Sequence, residues 1–336
     1  MSTITYQAAQ LPSVYNSDEA APAQPLSVSC LVCRVDVGSF RPYESTTQLT
    51  CPACGFVIRR ERGIWRALAP SREDRFRQFI KEYQTVRLQE ARGTGGVRYF
   101  LSLPYKDATG RNSWQWKIRG RSYRYLERTI FPLLEKDYPQ AMDVLDVGAG
   151  NCWMSYRLAL RGHRPVAVDL VDNDQDGLSA ARHYLAFLRW RFPRFQAEMD
   201  CLPFAPAQFD LVAFNASIHY SENYSQTFQE TLRCLRRPGH VLIIDSPFYS
   251  SESSGRTMVQ EKHAQFQKRF GFRSDSIASR EFLTRDTLEN LGKLHGIRWE
   301  FREPWYGLGW AMRPWRARVL GRREPAKFLI AWGMVT

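Results

Sequence analysis

Four cysteines near the start of the chain have the spacing of a metal site. They form two pairs, Cys30-Leu-Val-Cys33 and Cys51-Pro-Ala-Cys54, separated by seventeen residues. Two such pairs supply the four thiolates that zinc binds at the corners of a tetrahedron. Because four sulfur ligands leave no position for water, the predicted zinc is structural and not catalytic. Two disulfides, or a redox-active pair of the thioredoxin kind, are the alternative interpretations of this pattern.

A second candidate site is the stretch 145–153, LDVGAGNCW. A dinucleotide-binding loop has the pattern GxGxxG, and here Trp153 stands where the third glycine would be. A Walker phosphate-binding loop needs a lysine, which this stretch lacks. The remaining feature is Asp146, two residues before Gly148-Ala-Gly150. Such a turn lets the backbone approach a ribose and an amino-acid moiety, and Asp146 can attract an ammonium group.

Short apolar runs alternate with helical segments after residue 114, and this alternation predicts a parallel sheet with crossover helices. The runs are MDVLDVG, RPVAVDL, FQAEMD, FDLVAFN and HVLIID. Polar residues follow the strands: Asp169 comes nineteen residues after Gly150, Asp200 follows the third run and Asn215 follows the fourth. Asp169 can accept hydrogen bonds from both ribose hydroxyls. Each of these residues, taken alone, is also compatible with a helix cap or a turn.

The order of these motifs over about a hundred residues resembles class I S-adenosylmethionine-dependent methyltransferases, of the type 11-like kind. The resemblance implies a Rossmann-like α/β fold with a mostly parallel, seven-stranded sheet and helices on both faces. It implies S-adenosylmethionine as cofactor, with Asp200 at the adenine amino group and Arg119 as a candidate for the carboxylate. Cys152 departs from the family at the last glycine of the loop, a position that accepts small residues. The predicted cofactor site comprises Asp146, Gly148, Gly150, Asp169, Asp200, Cys201, Asn215 and Arg119.

The cysteine segment is similar to the small zinc-ribbon-like proteins that activate RNA and protein methyltransferases. The predicted organisation is a flexible tail at 1–25, a zinc-ribbon-like domain at 26–70, a linker helix and loop at 71–113, and a methyltransferase domain at 114–336 with inserts at about 247–283 and 303–325. Cys152, Cys201 and Cys234 are unpaired in the sequence, and we expect them to be small buried side chains.

Methyl transfer from a sulfonium needs alignment and desolvation, and some acceptors also need a base. His219, in the loop after the fourth strand, is the candidate base because imidazole titrates near neutral pH. The alternative interpretation of His219 is a residue that packs or holds the loop.

The formal charge of +13 attracts polyanions, but only eight of the 47 basic residues are Lys, and so strong an excess of Arg can reflect codon usage. We expect a small-molecule acceptor, with two alternatives: an RNA methyltransferase that docks through its zinc ribbon, and a non-catalytic binding scaffold. The aromatic and Arg-rich stretch after Trp305 fits either an RNA surface or the wall of a pocket. The N-terminus does not have the pattern of a secretory signal, and no apolar run reaches bilayer length. We therefore expect a cytoplasmic protein without a membrane partner.

Overall fold

The computed structural model describes residues 25–41 and 44–336, so all but the last residue of the predicted tail lies outside the described residues. The strands are β1 (Leu26–Ser29), β2 (Asp36–Phe40), β3 (Gln48–Thr50), β4 (Val57–Glu61), β5 (Ile64–Arg66), β6 (Asp143–Val147), β7 (Arg164–Asp169), β8 (Arg194–Gln196), β9 (Phe209–Asn215), β10 (Leu235–Ile244), β11 (Phe248–Tyr249), β12 (Leu283–Thr284), β13 (Ile297–Arg302) and β14 (Ile330–Val335). The α-helices are α1 (Pro70–Gln89), α2 (Gly96–Ser102), α3 (Ser113–Tyr125), α4 (Phe131–Asp137), α5 (Trp153–Leu160), α6 (Arg182–Leu185), α7 (Tyr224–Cys234), α8 (Glu252–Phe270), α9 (Arg285–His295), α10 (Leu308–Ala311) and α11 (Arg313–Val319).

One large sheet has the strand order β13-β14-β10-β9-β6-β7-β8-β5-β4-β3. Neighbouring strands from β10 to β5 are parallel, and the pairs at both ends are antiparallel. The sheet has ten strands and not the predicted seven, because three strands from before residue 70 extend one edge. The chain order reverses between β6 and β9, and open α/β sheets bind their ligands at the carboxyl ends of the strands at such a point.

The central strands are apolar on both faces because helices cover both sides of the sheet. On β6, Leu145 and Val147 pack into one hydrophobic cluster, and Val144 packs into the other. Because successive side chains of a strand alternate between its two faces, this pattern fixes the face of the sheet on which each residue at the carboxyl end of β6 lies. In the part of the chain that the structure describes, none of the helices combines the length and the apolar character that a bilayer crossing requires.

The cysteine segment is joined to the sheet by strand pairing and by aromatic packing. Strand β5 pairs in parallel with β8, where Trp65 lies beside Phe195. Val28 of β1 forms an antiparallel bridge with Phe204. The Trp65 ring centroid lies 4.7 Å from that of Phe40 and 6.1 Å from that of Phe195. Because these rings are buried, the segment shares a hydrophobic core with the parallel strands.

The two predicted inserts contain helices that pack beside the carboxyl edge of the sheet. The first, at 247–283, holds β11 and the nineteen-residue α8. The second, at 303–325, holds the short helices α10 and α11. Between α8 and β12, the segment 276–283 lies against the loop after β9, where the backbone N–H of Glu281 donates to the carbonyl of His219 at 2.8 Å.

Candidate functional site

The loop between β6 and α5 bends sharply through three residues in the left-handed region. The φ angles are +72° at Gly148, +53° at Gly150 and +64° at Cys152. The backbone N–H groups of Gly148 and Ala149 both donate to the carbonyl of Val168, at 2.8 and 2.9 Å. These bonds hold the loop against the end of β7, and both glycines line the cavity described below.

Gly148 is also in close contact with Ser217 in the loop after β9. The Ser217 hydroxyl donates to the carbonyl of Val147 at 2.5 Å. A Cβ placed on Gly148 would lie 2.2 Å from the Cβ of Ser217. Glycine is therefore required here both by the positive φ and by the close approach of the two loops.

Gly148→Ala is expected to weaken S-adenosylmethionine binding by at least about tenfold, because strain and a displaced loop together cost more than about 1.4 kcal/mol. Calorimetric titration measures the loss. Gly296→Ala is the matched control, since Gly296 has a φ of +71° but nothing within 4 Å of its added Cβ. Equal affinities in the two folded variants would show that the approach of Ser217 does not shape the binding loop.

Asp169 ends β7 and ties the glycine loop to the next turn. Its carboxylate accepts from the backbone N–H of Gly150 and from that of Val171, each at 2.8 Å. Burial raises the pKa of Asp169 to about 6. Asp169 lines the cavity, and the remaining lone pairs of its oxygens can accept from a hydroxyl-bearing ligand.

Asp146 does not line the cavity but lies fully buried beneath the loop. Its Oδ2 accepts from the hydroxyl of Ser155 at 2.6 Å, and burial raises its pKa to about 7. Its Oδ1 has no hydrogen-bond partner among the described residues. The geometry therefore gives Asp146 a supporting position under the first turn of α5, and it does not place the carboxylate where a ligand's ammonium group would contact it.

The cavity above these residues is covered by α1, the segment predicted as a linker. Phe76, Phe79 and Tyr83 of α1 line it together with Ile277 from the segment before β12. Including the solvent space at its open mouth, the cavity encloses about 1020 Å³. The covering rings pack on one another, with the centroid of Tyr220 5.8 Å from Phe79 and 6.0 Å from Tyr83.

Ion pairs hold α1 in this position. Arg72 binds the buried carboxylate of Glu198 through two nitrogens, at 2.8 and 2.5 Å. The hydroxyl of Ser276 donates to Glu82 on the same helix at 2.8 Å. The helix, the strand-end loop after β8 and the insert segment thus meet over the cavity.

The loop after β8 supplies two acidic neighbours of the cavity. Glu198 and Asp200 line it, and the hydroxyl of Thr227 donates to Asp200. Burial raises the pKa of Asp200 above its ordinary value. Asn215, at the end of β9, also lines the cavity, and its buried Oδ1 has no protein partner among the described residues. Cys201 does not line the cavity; it packs against the core that includes the cysteine segment.

Three arginines also line the cavity: Arg87 from α1, Arg92 from the segment after it and Arg119 from α3. Arg87 lies 3.3 Å from Asp176, and Arg92 lies 2.6 Å from Glu90. Arg119 of α3 forms no ion pair within the described residues and stacks on Trp116, with its guanidinium carbon 5.1 Å from the ring centroid. Burial and the neighbouring charge of Arg92 lower the pKa of Arg119, although a guanidinium stays protonated. An anionic ligand group would supply the missing partner.

His219 is not among the residues that line this cavity. Its Nδ1 lies 3.2 Å from the hydroxyl of Ser246, in the loop after β10. Burial and the nearby charge of Lys262 lower the pKa of His219 to about 3. The imidazole is therefore neutral at physiological pH, which is the form that accepts a proton, but it is a weak base.

Hydrogen bonds between buried side chains connect Asp245, the residue after β10, to the hydroxyls of Ser122 and Tyr306. Ser122 of α3 donates to Oδ1 of Asp245 at 2.5 Å, and its oxygen lies 2.9 Å from the hydroxyl of Tyr306. Asp245 has a φ of +53°, and its Oδ2 has no partner in the described structure. Burial raises the pKa of this carboxyl above its ordinary value.

The sequence interpretation missed three acidic residues that line the cavity, Asp176, Glu198 and Glu222, and a fourth, Glu281, beside the loop after β9. Only the acidic character of their loops marks the first three in the sequence. Glu281 is 3% exposed, has a φ of +64° and binds Lys262 and His263 of α8, each at 2.6 Å. Nothing local in the sequence identifies Glu281, because its partners are eighteen and nineteen residues away.

The four predicted metal ligands converge at the start of the chain. Their sulfur atoms all lie within 4.8 Å of one another. Individual separations are 3.5 Å for Cys30 and Cys54, 3.5 Å for Cys33 and Cys51, and 3.6 Å for Cys33 and Cys54. Zinc–sulfur bonds of about 2.3 Å in a tetrahedron require sulfur separations of about 3.8 Å, so the cluster fits zinc.

Comparison with known proteins finds a family model and a curated relative that match part of this chain. A family model described as a methyltransferase domain matches residues 144–239. Malonyl-[acyl-carrier protein] O-methyltransferase from Enterobacter lignolyticus is 27% identical over 161 residues, which are 47% of this chain and 55% of that protein. The chain therefore spans about half the length of this curated relative.

Solved structures with similar folds have low sequence identity. An S-adenosylmethionine-dependent methyltransferase from Thermotoga maritima is 14% identical, with a TM-score of 0.42 over 79% of this chain and 100% of that chain. Magnesium protoporphyrin IX methyltransferase from Synechocystis, with bound S-adenosylhomocysteine, is 13% identical, with a TM-score of 0.42 over 66% and 87%. A chain from a Haloferax volcanii complex with the Trm112 methyltransferase activator is 14% identical, with a TM-score of 0.40 over 66% and 96%.

The matched residues, 144–239, run from β6 through the glycine loop and Asp169 to the start of β10, and so contain most of the cavity's floor. The region that matches the methyltransferase-domain model therefore carries the glycine loop and the strand-end residues Asp169, Asp200 and Asn215 of the cavity.

Proposed function

We propose that the protein transfers a methyl group from S-adenosylmethionine to a small-molecule acceptor. The observation that carries the proposal is the convergence of Gly148, Gly150, Asp169 and Asp200 on one covered cavity at the point where the strand order reverses. These residues come from three separate strand ends, and the parallel sheet brings them to the edge at which open α/β sheets bind their ligands.

The residues of the cavity fit the parts of this cofactor. Asp169 accepts from the ribose hydroxyls, Asp200 accepts from the adenine amino group, and the unpartnered Oδ1 of Asn215 accepts from a ligand N–H or O–H. Arg119 binds the carboxylate. When bound, the cofactor supplies an activated methyl group on its sulfonium, and the chain's own task is to align the two reactants and to exclude water.

The cover of the cavity favours a small acceptor over RNA. Phe76, Phe79 and Ile277 form an apolar roof. Arg72 binds the roof to Glu198 in the loop after β8, and Ser276 joins the two segments of the roof through Glu82. A docked RNA base would need an open, basic approach to the sulfonium. The curated relative acts on a malonyl group carried by a protein, which is also a small acceptor group.

The reaction needs a base only if the acceptor loses a proton. His219 is the sequence-based candidate, and its neutral imidazole is held toward Ser246. His263 of α8 is a second imidazole near the loop after β9. Glu281 binds it at 2.6 Å, and the backbone N–H of Glu281 donates to the carbonyl of His219 in that loop. An acceptor such as a carboxylate is already deprotonated at neutral pH, and it would need neither imidazole.

We assign the four-cysteine cluster to one structural zinc ion. The sulfur separations fit tetrahedral coordination, and four thiolates complete it. The zinc fixes the two turns that carry β1 and β4 against the edge of the sheet. Its effect on the methyltransferase domain is therefore mechanical support.

Transfer of radiolabelled methyl groups from S-adenosylmethionine to a low-molecular-weight cell extract is expected, and transfer to total RNA is not. Asp169→Ala is the matched inactive control. Incorporation into RNA, together with RNA retention that falls steeply as salt rises, would overturn the small-molecule assignment. Tight cofactor binding without transfer to either pool would favour the scaffold alternative.

A further inference from the structure

An exposed apolar face runs along residues 305–320, in the second insert. Of the fifteen large apolar side chains exposed in the described chain, six belong to this stretch. They are Trp305 at 66%, Leu308 at 73%, Met312 at 50%, Trp315 at 61%, Val319 at 64% and Leu320 at 56% exposed. A soluble surface seldom places so many large apolar groups together unless they contact something.

Four of these side chains lie on one side of a nearly continuous helix. Leu308, Met312, Trp315 and Val319 are four, three and four residues apart, the spacing of a single helical face. The opposite side packs inward: the ring centroid of Trp310 lies 5.0 Å from Tyr306 and 5.4 Å from Phe328. Aromatic contacts therefore hold one face of this segment against the protein, and the other face is uncovered among the described residues.

Cations border the apolar face. Arg316, Arg318 and Arg322 are exposed, and none of them belongs to an ion pair of the described structure. Arg313, by contrast, is used internally, where it covers the Trp310 ring and donates to the carbonyl of Ala326 at 2.6 Å. The uncommitted arginines give the apolar face a positive border.

We propose that this face, residues 305–320 with Arg322, docks the protein on an anionic lipid bilayer. An interfacial helix places Trp, Leu and Val among the lipid chains at the headgroup boundary, and its Arg side chains bind anionic headgroups. Trp residues in particular prefer this boundary. The sequence-based expectation of no membrane partner rests on the lack of a bilayer-length apolar run and of a secretory-signal pattern. A helix bound at the bilayer surface needs neither.

The docking face is connected to α3 by hydrogen bonds. The hydroxyl of Tyr306, within the face, is 2.9 Å from that of Ser122 of α3, which donates to Asp245. On the opposite side of the segment, Trp114 of α3 lies 6.0 Å from Trp310, measured between ring centroids. Docking would therefore bring α3, which also carries Arg119, close to the bilayer surface.

Flotation of the full chain with lipid vesicles tests this proposal. Vesicles of phosphatidylcholine with about 30 mol% phosphatidylglycerol should bind the protein at least about tenfold more strongly than pure phosphatidylcholine vesicles. The double variant Met312→Ser and Trp315→Ser should bind the anionic vesicles at least about tenfold more weakly than the wild type. Replacing Arg316, Arg318 and Arg322 with Gln should remove the preference for anionic lipid.

The matched control is the double variant Leu88→Ser and Leu294→Ser, which changes two side chains that are 61% and 68% exposed elsewhere on the surface. It should bind vesicles as the wild type does. Absence of flotation by the wild type, or equal flotation of both double variants, would overturn the proposal. So would a wild-type dimer that the Met312 and Trp315 changes dissociate, or RNA retention that the three Arg changes abolish, because the face would then have a different occupant.

Discussion

Replacement of Asp169 by Ala is expected to weaken S-adenosylmethionine binding by about 100-fold, because two charge-assisted hydrogen bonds to the ribose are lost. The structure adds a second reason for a large effect. The same carboxylate accepts from the backbone N–H of Gly150 and from that of Val171, so that the variant also releases the glycine loop. Isothermal titration at pH 8, where the carboxyl with its pKa of about 6 is ionised, measures the effect.

Asp174→Ala is the control, because Asp174 lies in the same connection and pairs only at the surface, with Arg182 at 2.8 Å. Wild-type affinity should fall as the pH drops below 6, since the protonated carboxyl of Asp169 is a poorer acceptor, and Asp169→Ala should lack that fall. Unchanged affinity in a folded Asp169→Ala protein would remove this residue from the site. Preference for a nicotinamide cofactor would reject the cofactor assignment as a whole.

The sequence located the residues whose positions follow from local rules. Gly148, Gly150, Asp169, Asp200 and Asn215 all lie at the carboxyl ends of buried strands or within a few residues after them, and all line one cavity. Carboxyl ends of parallel strands meet at one edge, so that the pattern of apolar runs was enough to bring these residues together. Arg119 lines the same cavity from α3, which precedes the first of these strands.

Three sequence-based site residues lie outside the cavity lining, each for a local reason. Asp146 is the second-last residue of strand β6, before Val147, and its side chain is fully buried beneath the loop. Cys201 follows Asp200 in a turn, and its side chain packs against the hydrophobic core. His219 lies one residue before Tyr220, which does line the cavity. Their roles at the site stay predictions.

The cover of the cavity was not predictable from local pattern. The apolar spacing of α1 indicated an amphipathic helix, but not that Phe76, Phe79 and Tyr83 would face the cofactor cavity. That placement depends on ion pairs across more than a hundred residues, such as Arg72 with Glu198. Sequence periodicity identifies an apolar face, but it does not identify the surface that the face covers.

The extension of the sheet beyond seven strands also depends on contacts between residues that are far apart in the sequence. Strand β8 would be an exposed edge without the cysteine segment, and exposed edges pair readily with other chains. Strand β5 covers this edge, and Trp65 and Phe40 complete the core beside Phe195. The cysteine segment thus covers the edge of the sheet, and the proposed zinc would hold the two turns of this segment in place.

Replacement of Cys51 by Ser is therefore expected to remove zinc and to destabilise the sheet edge as well as the ribbon. The zinc content should fall from about one per chain to near zero, because three remaining ligands hold the ion far less tightly. Release of Phe40 and Trp65 from the shared core should cost at least about 3 kcal/mol, since each large apolar side chain contributes about 1.5–3 kcal/mol when buried. Elemental analysis and thermal unfolding measure the two effects.

Hydrogen exchange then distinguishes two roles for the zinc: it supports the edge of the sheet, or it stabilises the cysteine segment alone. The backbone amides of β5 and β8 protect one another through their parallel pairing, so Cys51→Ser should speed exchange in Arg194–Gln196 as well as in Ile64–Arg66. Val32→Ser is the matched control, because Val32 lies between two ligands, is 59% exposed and contributes no sulfur. That control should keep both its zinc and its protection. Loss of zinc with unchanged exchange in β8 would show that the sheet does not need the metal, because strand pairing and aromatic packing alone would then hold the edge.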